Sequence, residues 1–471
     1  MLAKGDIVRL EDGRTLSCLE TVRSLPDKRQ VFLGELDGRA VFAKLYLDPK
    51  RRQRHWQREL DGIHAFQKRK ILTAELLYAG MVGEEKLPVI VLARLHEPVS
   101  LKSAWDGSEQ AARERLLQHM VELLAAHHKV GLCQTDLHLD NFIISKGLIY
   151  SLDGAGVDVT EGELDLKAGL NNLALFSAQL VPKWDLVVPA LYELYLEQRR
   201  VQHGPGSGYL LQQIKQVREW RWNKFKDKLF RDCTAFRFRK SPEGMEVVSR
   251  RYVGPELEHL LDDPDVSFPG VGQALKNGNT STVWSTLVNG HDMVVKRYNV
   301  KGFLHGLKLS LRPSRGKRSW INAHCLQFYG IPTPKPVAFL KRRSRLLFPT
   351  VYHITELVKG EKAWHWFRSP AVSNEEKEQM AEKVVLVLQK MQQQWISHGD
   401  LKATNILIAN GEAMLIDLDA MHKHTNTYRS NYALASDIQR FMKNWEDNDG
   451  LYKMFVNALK SHKITLPNQY A

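Results

Sequence analysis

Two amphipathic patterns set the frame of this chain. Between 109 and 129, Leu116, Met120, Leu123 and Leu124 fall on one face of a predicted helix, and Glu375–Gln394 repeats the pattern with Met380, Val384, Val385, Leu388 and Met391. A shift of 264 residues carries Met120 onto Val384 and Leu124 onto Leu388. Ahead of the first helix the alternation predicts short mixed strands over 6–47, then a helix over 50–68 marked by Trp56, Leu60, Ile63 and Phe66. Apolar strands follow around Leu76–Tyr78 and Val89–Ala93. Behind it lie apolar helical runs, Leu170–Leu180 and Val187–Leu196. The stretch 204–208 reads as a loop, and the Pro- and Gly-punctuated run 241–270 reads as a connection. The predicted organisation is one domain over 1–225, a linker and basic-aromatic segment over 226–265, and a second domain over 266–471.

The same shift carries chemistry. Asp136, Asn141 and Asp153 recur as Asp400, Asn405 and Asp417, each 264 residues on, within Q-T-D-L-H-L-D-N-F-I-I and H-G-D-L-K-A-T-N-I-L-I. In phosphoryl transfer the first Asp takes or orients the acceptor hydroxyl proton, the Asn ligates a metal, and the Asp after the next strand holds the Mg²⁺ that bridges the nucleotide phosphates. A chance match of one triple is ordinary; two at one offset, with matching strands and a matching core face, describe a repeated fold. The expected fold class is α+β, as two tandem protein-kinase-like bilobal domains, each with a β-rich N-lobe and a helical C-lobe.

Such a site needs a strand lysine for the α- and β-phosphates and a helix acid to orient it. V-F-A-K-L-Y supplies Lys44 and V-V-K-R-Y supplies Lys296; Glu59 on the 50–68 helix is the partner expected for Lys44. The second half has no such acid. From Lys296 to Arg345 there is no Asp or Glu among thirteen Lys and Arg, and Ala323 stands where the shift places Glu59. The turn around Gly278, in L-K-N-G-N-T-S-T, is the candidate phosphate-approaching loop of the second half; 24–32 has no glycine. Ala93-Arg94 and Glu356-Leu357 fall where adenine would meet backbone.

Composition narrows the setting. With 471 residues and 43% hydrophobic positions the chain is long enough for two compact units. Cys18, Cys133, Cys233 and Cys325 show no metal or disulfide spacing. The scattered cysteines suit a reducing cytoplasm, and with no signal peptide or 18-residue apolar run seen the protein is expected to stay soluble or lie on a surface. The net charge of +14 asks for an anionic partner. It concentrates in Arg218–Lys240, interleaved with Trp220, Trp222, Phe225 and Phe230, and in the acid-free window. Basic-aromatic segments suit an anionic membrane surface or nucleic acid.

H-G-D-L-K-A-T-N-I-L-I with L-I-D-L-D-A, and S-W-I-N-A-H-C-L-Q-F-Y-G-I-P-T-P-K-P-V-A-F (319–339), closely resemble the lipopolysaccharide core kinases of the WaaP/InaA type. T-D-L-H-L-D-N-F-I places the first half in the same superfamily more loosely. The resemblance implies a two-kinase-domain protein of a Gram-negative bacterium, phosphorylating an inner-core heptose hydroxyl with ATP and Mg²⁺ at the cytoplasmic face of the inner membrane. It assigns Asp136 and Asp400 as catalytic bases, Lys44 and Lys296 to phosphates, and Asn141, Asp153, Asn405 and Asp417 to metal. A lipid-linked core acceptor is the expected partner and nucleic acid is not. Gln134-Thr135 depart from the H-G before the catalytic Asp. A protein or small-molecule kinase of the same fold, or a scaffold containing a pseudokinase, are the alternatives.

Overall fold

A computed structural model describes residues 2–25, 27–83, 85–265, 267, 274–278, 281–299, 314–343 and 349–464. The chain divides into two compact units, Met1–Glu219 and Trp220–Ala471.

The first unit opens on a six-stranded antiparallel sheet ordered Ile7–Arg9, Thr15–Leu25, Arg29–Leu36, Arg39–Tyr46, Leu87–Ala93, Leu76–Val82. Alternation sorts its two faces. Leu16, Phe32, Val41, Ala43, Leu45, Val89 and Val91 close one core, and Tyr46, Ile90 and Leu92 pack on the other side with Leu60 and Ile63. Lys44 shares the parity of Tyr46, so the pleat itself sends it to the side where the helix Arg52–Lys68 lies. The long helix Gln110–Lys129 buries Leu117, Met120, Val121 and Leu124 against Leu170, Leu173 and Phe176 of the helix Leu166–Ser177 and Tyr192 and Tyr195 of the helix Val188–Arg199.

The second unit carries a seven-stranded sheet ordered Phe236–Ser241, Gly244–Ser249, Pro336–Arg342, Thr350–Glu356, His291–Tyr298, Ser281–Val288, Ala274–Asn277. Its last five strands retrace the first unit: in both, the lysine strand lies between the strand before it in sequence and a strand two further on. The helix Asn374–Gln393 begins with a capping box in which Ser373 and Glu376 satisfy each other's backbone amides. Met380, Val384, Leu388 and Met391 then pack with Phe441, Trp445 and Phe455.

Residues 226–265, expected as a linker, are largely ordered structure instead. Phe236–Ser241 and Gly244–Ser249 form a hairpin that pairs along Pro336–Arg342. The glycine and prolines there punctuate elements: a Cβ on Gly244 would lie 2.0 Å from the carbonyl of Lys341, and Pro255 starts the helix Pro255–Asp262. The aromatic rings of the basic segment are also not a surface array. The helix Ser207–Lys228 places Trp222 and Phe225 one turn apart, and Trp222 is 3% exposed against Phe328 and Tyr329. Trp220 remains exposed, Arg218 is buried on Asp185, and Lys224, Lys226 and Lys228 stay at the surface. Part of the acid-free window, 300–313 and 344–345, lies outside the described residues.

Candidate functional site

In the first unit the strand lysine meets its helix acid. Lys44 Nζ pairs with Glu59 Oε1, and Glu59 is 1% exposed. The other carboxylate oxygen accepts from the Tyr46 hydroxyl at 2.6 Å and lies 3.8 Å from Arg29. A buried carboxylate demands such partners, because an unpaired charge in a low dielectric is costly. Burial and the Glu59 charge together push the Tyr46 phenol far above its usual range, so it acts only as a donor to Glu59.

Below that pair, the turn Leu139–Asn141 returns Asn141 toward Asp136, whose backbone oxygen accepts from Asn141 Nδ2 at 2.8 Å. Asp153 follows the strand Leu148–Ser151 in a left-handed conformation with φ 60°. Its Oδ1 is buried with no hydrogen-bond partner among the described residues. The helix carrying Glu59 touches this loop through backbone: a Cβ on Gly62 would stand 2.0 Å from Gly154 O, and one on Gly154 would stand 2.5 Å from Glu59 O.

The second unit repeats the lower half of this arrangement. Asn405 Nδ2 donates to Asp400 O at 2.8 Å, and Asp417 is left-handed with φ 61°. The upper half is rewired. With buried Ala323 at the acid's place, Lys296 reaches Asp417 instead, Nζ to Oδ1 2.5 Å, and stands 5.0 Å from the centre of the Tyr298 ring. Burial opposes the charge of Lys296, but Tyr298, Asp417 and Asp419 outweigh it and hold its pKa above the ordinary lysine value. The helix Arg315–Phe328 grips the loop after Asp417 by side chains. Arg315 Nε donates to Asp419 at 2.5 Å, and Asn322 Nδ2 donates to Leu418 O and Met421 O at 2.8 and 3.0 Å.

Lys296, Asn405 and Asp417 line one cavity of about 490 Å³, together with the apolar Val283, Val294 and Leu407 and with Glu356 and Leu357. Its size and its mix of apolar wall and convergent polar groups suit a small ligand. Gly278 sits in the turn before Ser281–Val288, its amide donating to Ser281 O at 3.1 Å; residues 279 and 280 lie outside the described residues.

Several neighbours went unpredicted. Two residues past each candidate base stands a basic side chain: Lys402 Nζ is 3.0 Å from Asp400 Oδ1, and His138 Nε2 is 3.2 Å from Asp136 Oδ1. Their shared offset is the signal that could have revealed them. Asp437, 1% exposed, accepts from the amides of His398 and Gly399 at 2.6 and 3.0 Å, and Arg440 donates to Gly399 O at 2.7 Å. No group of three or more His, Cys, Asp or Glu among the described residues could hold a metal ion. One Asp and one Asn, with phosphate oxygens completing the shell, is a different donor set.

Residues 271–454 match the model of the Lipopolysaccharide kinase (Kdo/WaaP) family. A solved structure, WaaP in complex with acyl carrier protein, is similar at 14% identity with a TM-score of 0.31, covering 44% of this chain and 88% of that chain. No curated protein sequence matches. Lys296, Asp400, Asn405 and Asp417 of the second unit all lie inside the matched span, which covers less than half of the chain, and this match supports a kinase phosphotransferase.

Proposed function

We propose that the chain phosphorylates a sugar hydroxyl of the lipopolysaccharide inner core, a heptose by preference, with its two units built as tandem bilobal kinase domains. The observation that carries this reading is the 2.5 Å contact of Lys296 with Asp417 across 121 residues of chain, inside the cavity of the family-matched unit. Lys44 and Lys296 would hold the α- and β-phosphates of ATP. Asp136 and Asp400 would take the proton of the acceptor hydroxyl as its oxygen bonds to the γ-phosphorus and ADP leaves. The orphaned Asp153 Oδ1, with Asn141, fits a hard cation, and Asn405 with Asp417 would do the same once Lys296 turns to phosphate. Mg²⁺ bound there would neutralise charge developing between the β- and γ-phosphates.

An acceptor already bearing phosphates and acidic sugars suits the net charge of +14. Exposed Lys224, Lys226, Lys228 and Arg231 support docking on the anionic inner-membrane surface from the cytoplasmic side. No described helix is long and apolar enough to cross a membrane. Mass spectrometry of core oligosaccharide from a deletion strain tests the reading: it should lack a phosphate that the wild-type gene restores, and an unchanged core would reject it.

A further inference from the structure

The catalytic loop of the first unit is held by a buried chain of side chains with no counterpart in the motif. Asn172, on the helix Leu166–Ser177 and 5% exposed, donates through Nδ2 to the backbone oxygen of Gln134 at 2.8 Å. That bond fixes which way its amide faces, so Oδ1 must meet His128 Nε2, 3.0 Å away, as acceptor. His128 therefore carries its proton on Nε2 and offers a bare Nδ1 to the Tyr195 hydroxyl at 2.8 Å. The Tyr195 oxygen in turn accepts from Arg199 Nη1 at 2.8 Å, while Arg199 Nη2 donates to Leu164 O at 2.6 Å. Every bond has one allowed direction, running Arg199 to Tyr195 to His128 to Asn172 to Gln134. Bonds aligned in this way reinforce one another in a low dielectric.

Two further facts tie the chain to the site. Gln134 passes the constraint on, its Nε2 donating at 3.0 Å to the carbonyl of Leu152, the residue before Asp153. Gly169 makes room for the chain: a Cβ there would stand 2.1 Å from the Tyr195 hydroxyl, 3.0 Å from Arg199 Nη1 and 3.1 Å from His128 Nδ1. In the second unit the matching loop is held with opposite polarity, by Asp437 accepting from its amides.

We infer that Asn172, backed by His128, Tyr195 and Arg199, is the positioning residue of the first catalytic loop and sets Asp136 and Asp153 together through Gln134. None of these four touches substrate; they act on the loop that does. The inference rests on the kinase reading of the first unit, and the experiment separates the two.

Asn172→Asp keeps the shape and the acceptor for His128 but removes the donor to Gln134. Amide hydrogen exchange of the full-length protein is compared with wild type over 132–141 and 152–156. Exchange there should rise about tenfold, the loss of one buried hydrogen bond, while the helix Arg52–Lys68 is unchanged. Tyr195→Phe, two links upstream, should loosen the same segments by a smaller factor, and it decides the matter if Asn172→Asp fails to fold. In an Asp400→Asn background, phosphotransfer to lipopolysaccharide acceptor should fall at least about tenfold in kcat with KM for ATP unchanged, since the loop positions and the lysine binds. Unaltered exchange over both segments overturns the inference, as does a loss carried by KM alone. Altered exchange in a background with no turnover supports the positioning role and rejects the first unit as an enzyme.

Discussion

Gln134 and His398 do the same work with different chemistry. Gln134 Nε2 donates to Leu152 O at 3.0 Å, and His398 Nε2 lies 3.0 Å from Ile416 O; each carbonyl belongs to the residue before the metal-type aspartate. A carbonyl only accepts, so His398 is protonated on Nε2. Gln134 thus replaces the usual histidine without losing the tether. Gln134→His should leave turnover of the first unit within about threefold, whereas Gln134→Leu, which strands the carbonyl of Leu152, should cost about 1–3 kcal/mol of stability and a comparable share of rate. Denaturant melts and single-turnover assays in an Asp400→Asn background measure both.

Removing a base tells which unit turns over. Asp136→Asn and Asp400→Asn should each lower the activity of their own unit by roughly 10²–10⁴-fold. Core phosphorylation restored to a deletion strain is the readout. The family match favours the second unit, so Asp400→Asn is expected to abolish complementation. Full rescue by it, with failure of Asp136→Asn, would make the first unit the enzyme.

The acid of the first unit has three dependants. Glu59→Ala leaves Lys44, the Tyr46 hydroxyl and Arg29 without it. Breaking a buried ion pair from one side typically costs about 3–5 kcal/mol. Ala323→Glu in the second unit is the converse: it inserts a carboxylate into a buried helix face and should destabilise that unit, because Lys296 is already engaged. Thermal denaturation of the two variants should show both losses.

Asn322 replaces that missing acid in one respect, by joining its helix to the Asp417 loop. Asn322→Ala removes the side-chain donor from the carbonyls of Leu418 and Met421, the first of which keeps the Met421 amide. It should cost about 1–3 kcal/mol and raise hydrogen exchange over 417–421. Unchanged exchange there would show that Arg315 suffices.

Burial sets a pH limit on both units. His324 and His353 have pKa values lowered to about 3, and His127 and His128 to about 3 and about 4, burial being the first cause for all four. The unfolded chain takes up these protons below about 6.5 and the folded one does not, so stability is flat in these groups above that pH and falls from there down to about pH 3–4. Each imidazole contributes a slope of up to about 1.4 kcal/mol per pH unit. Urea unfolding at pH 7.5, 6 and 5 should show the decline. His324→Phe, among the rings of Trp320, Phe225 and Phe236, should make it shallower by that one imidazole's share.

Sequence reached the parts of the site that are local and missed those that depend on which elements meet. The Lys44–Glu59 pair is legible because a strand pleat and a helix period each aim one side chain. Tyr46 is invisible as a partner, since a tyrosine two residues past a lysine reads as core until the helix is placed over it. The absence of an acid near Lys296 can be read directly; its engagement by Asp417 cannot, because 121 residues separate them. Trp222 and Phe225 look like surface anchors when counted with their lysines. Helical spacing sets the two rings one turn apart on a buried side and turns Lys224 well away from both, and that periodicity outranks composition.

Gly62 and Gly154 leave no side chain between the helix of Glu59 and the loop of Asp153. The second unit bridges the same interval with Asn322 and Arg315, groups whose length and charge can be varied one atom at a time. Among the described residues the first unit shows no such adjustable spacer. A single methyl at either glycine would shift the Lys44–Glu59 pair and Asp153 in one stroke, so the two can be repositioned only together.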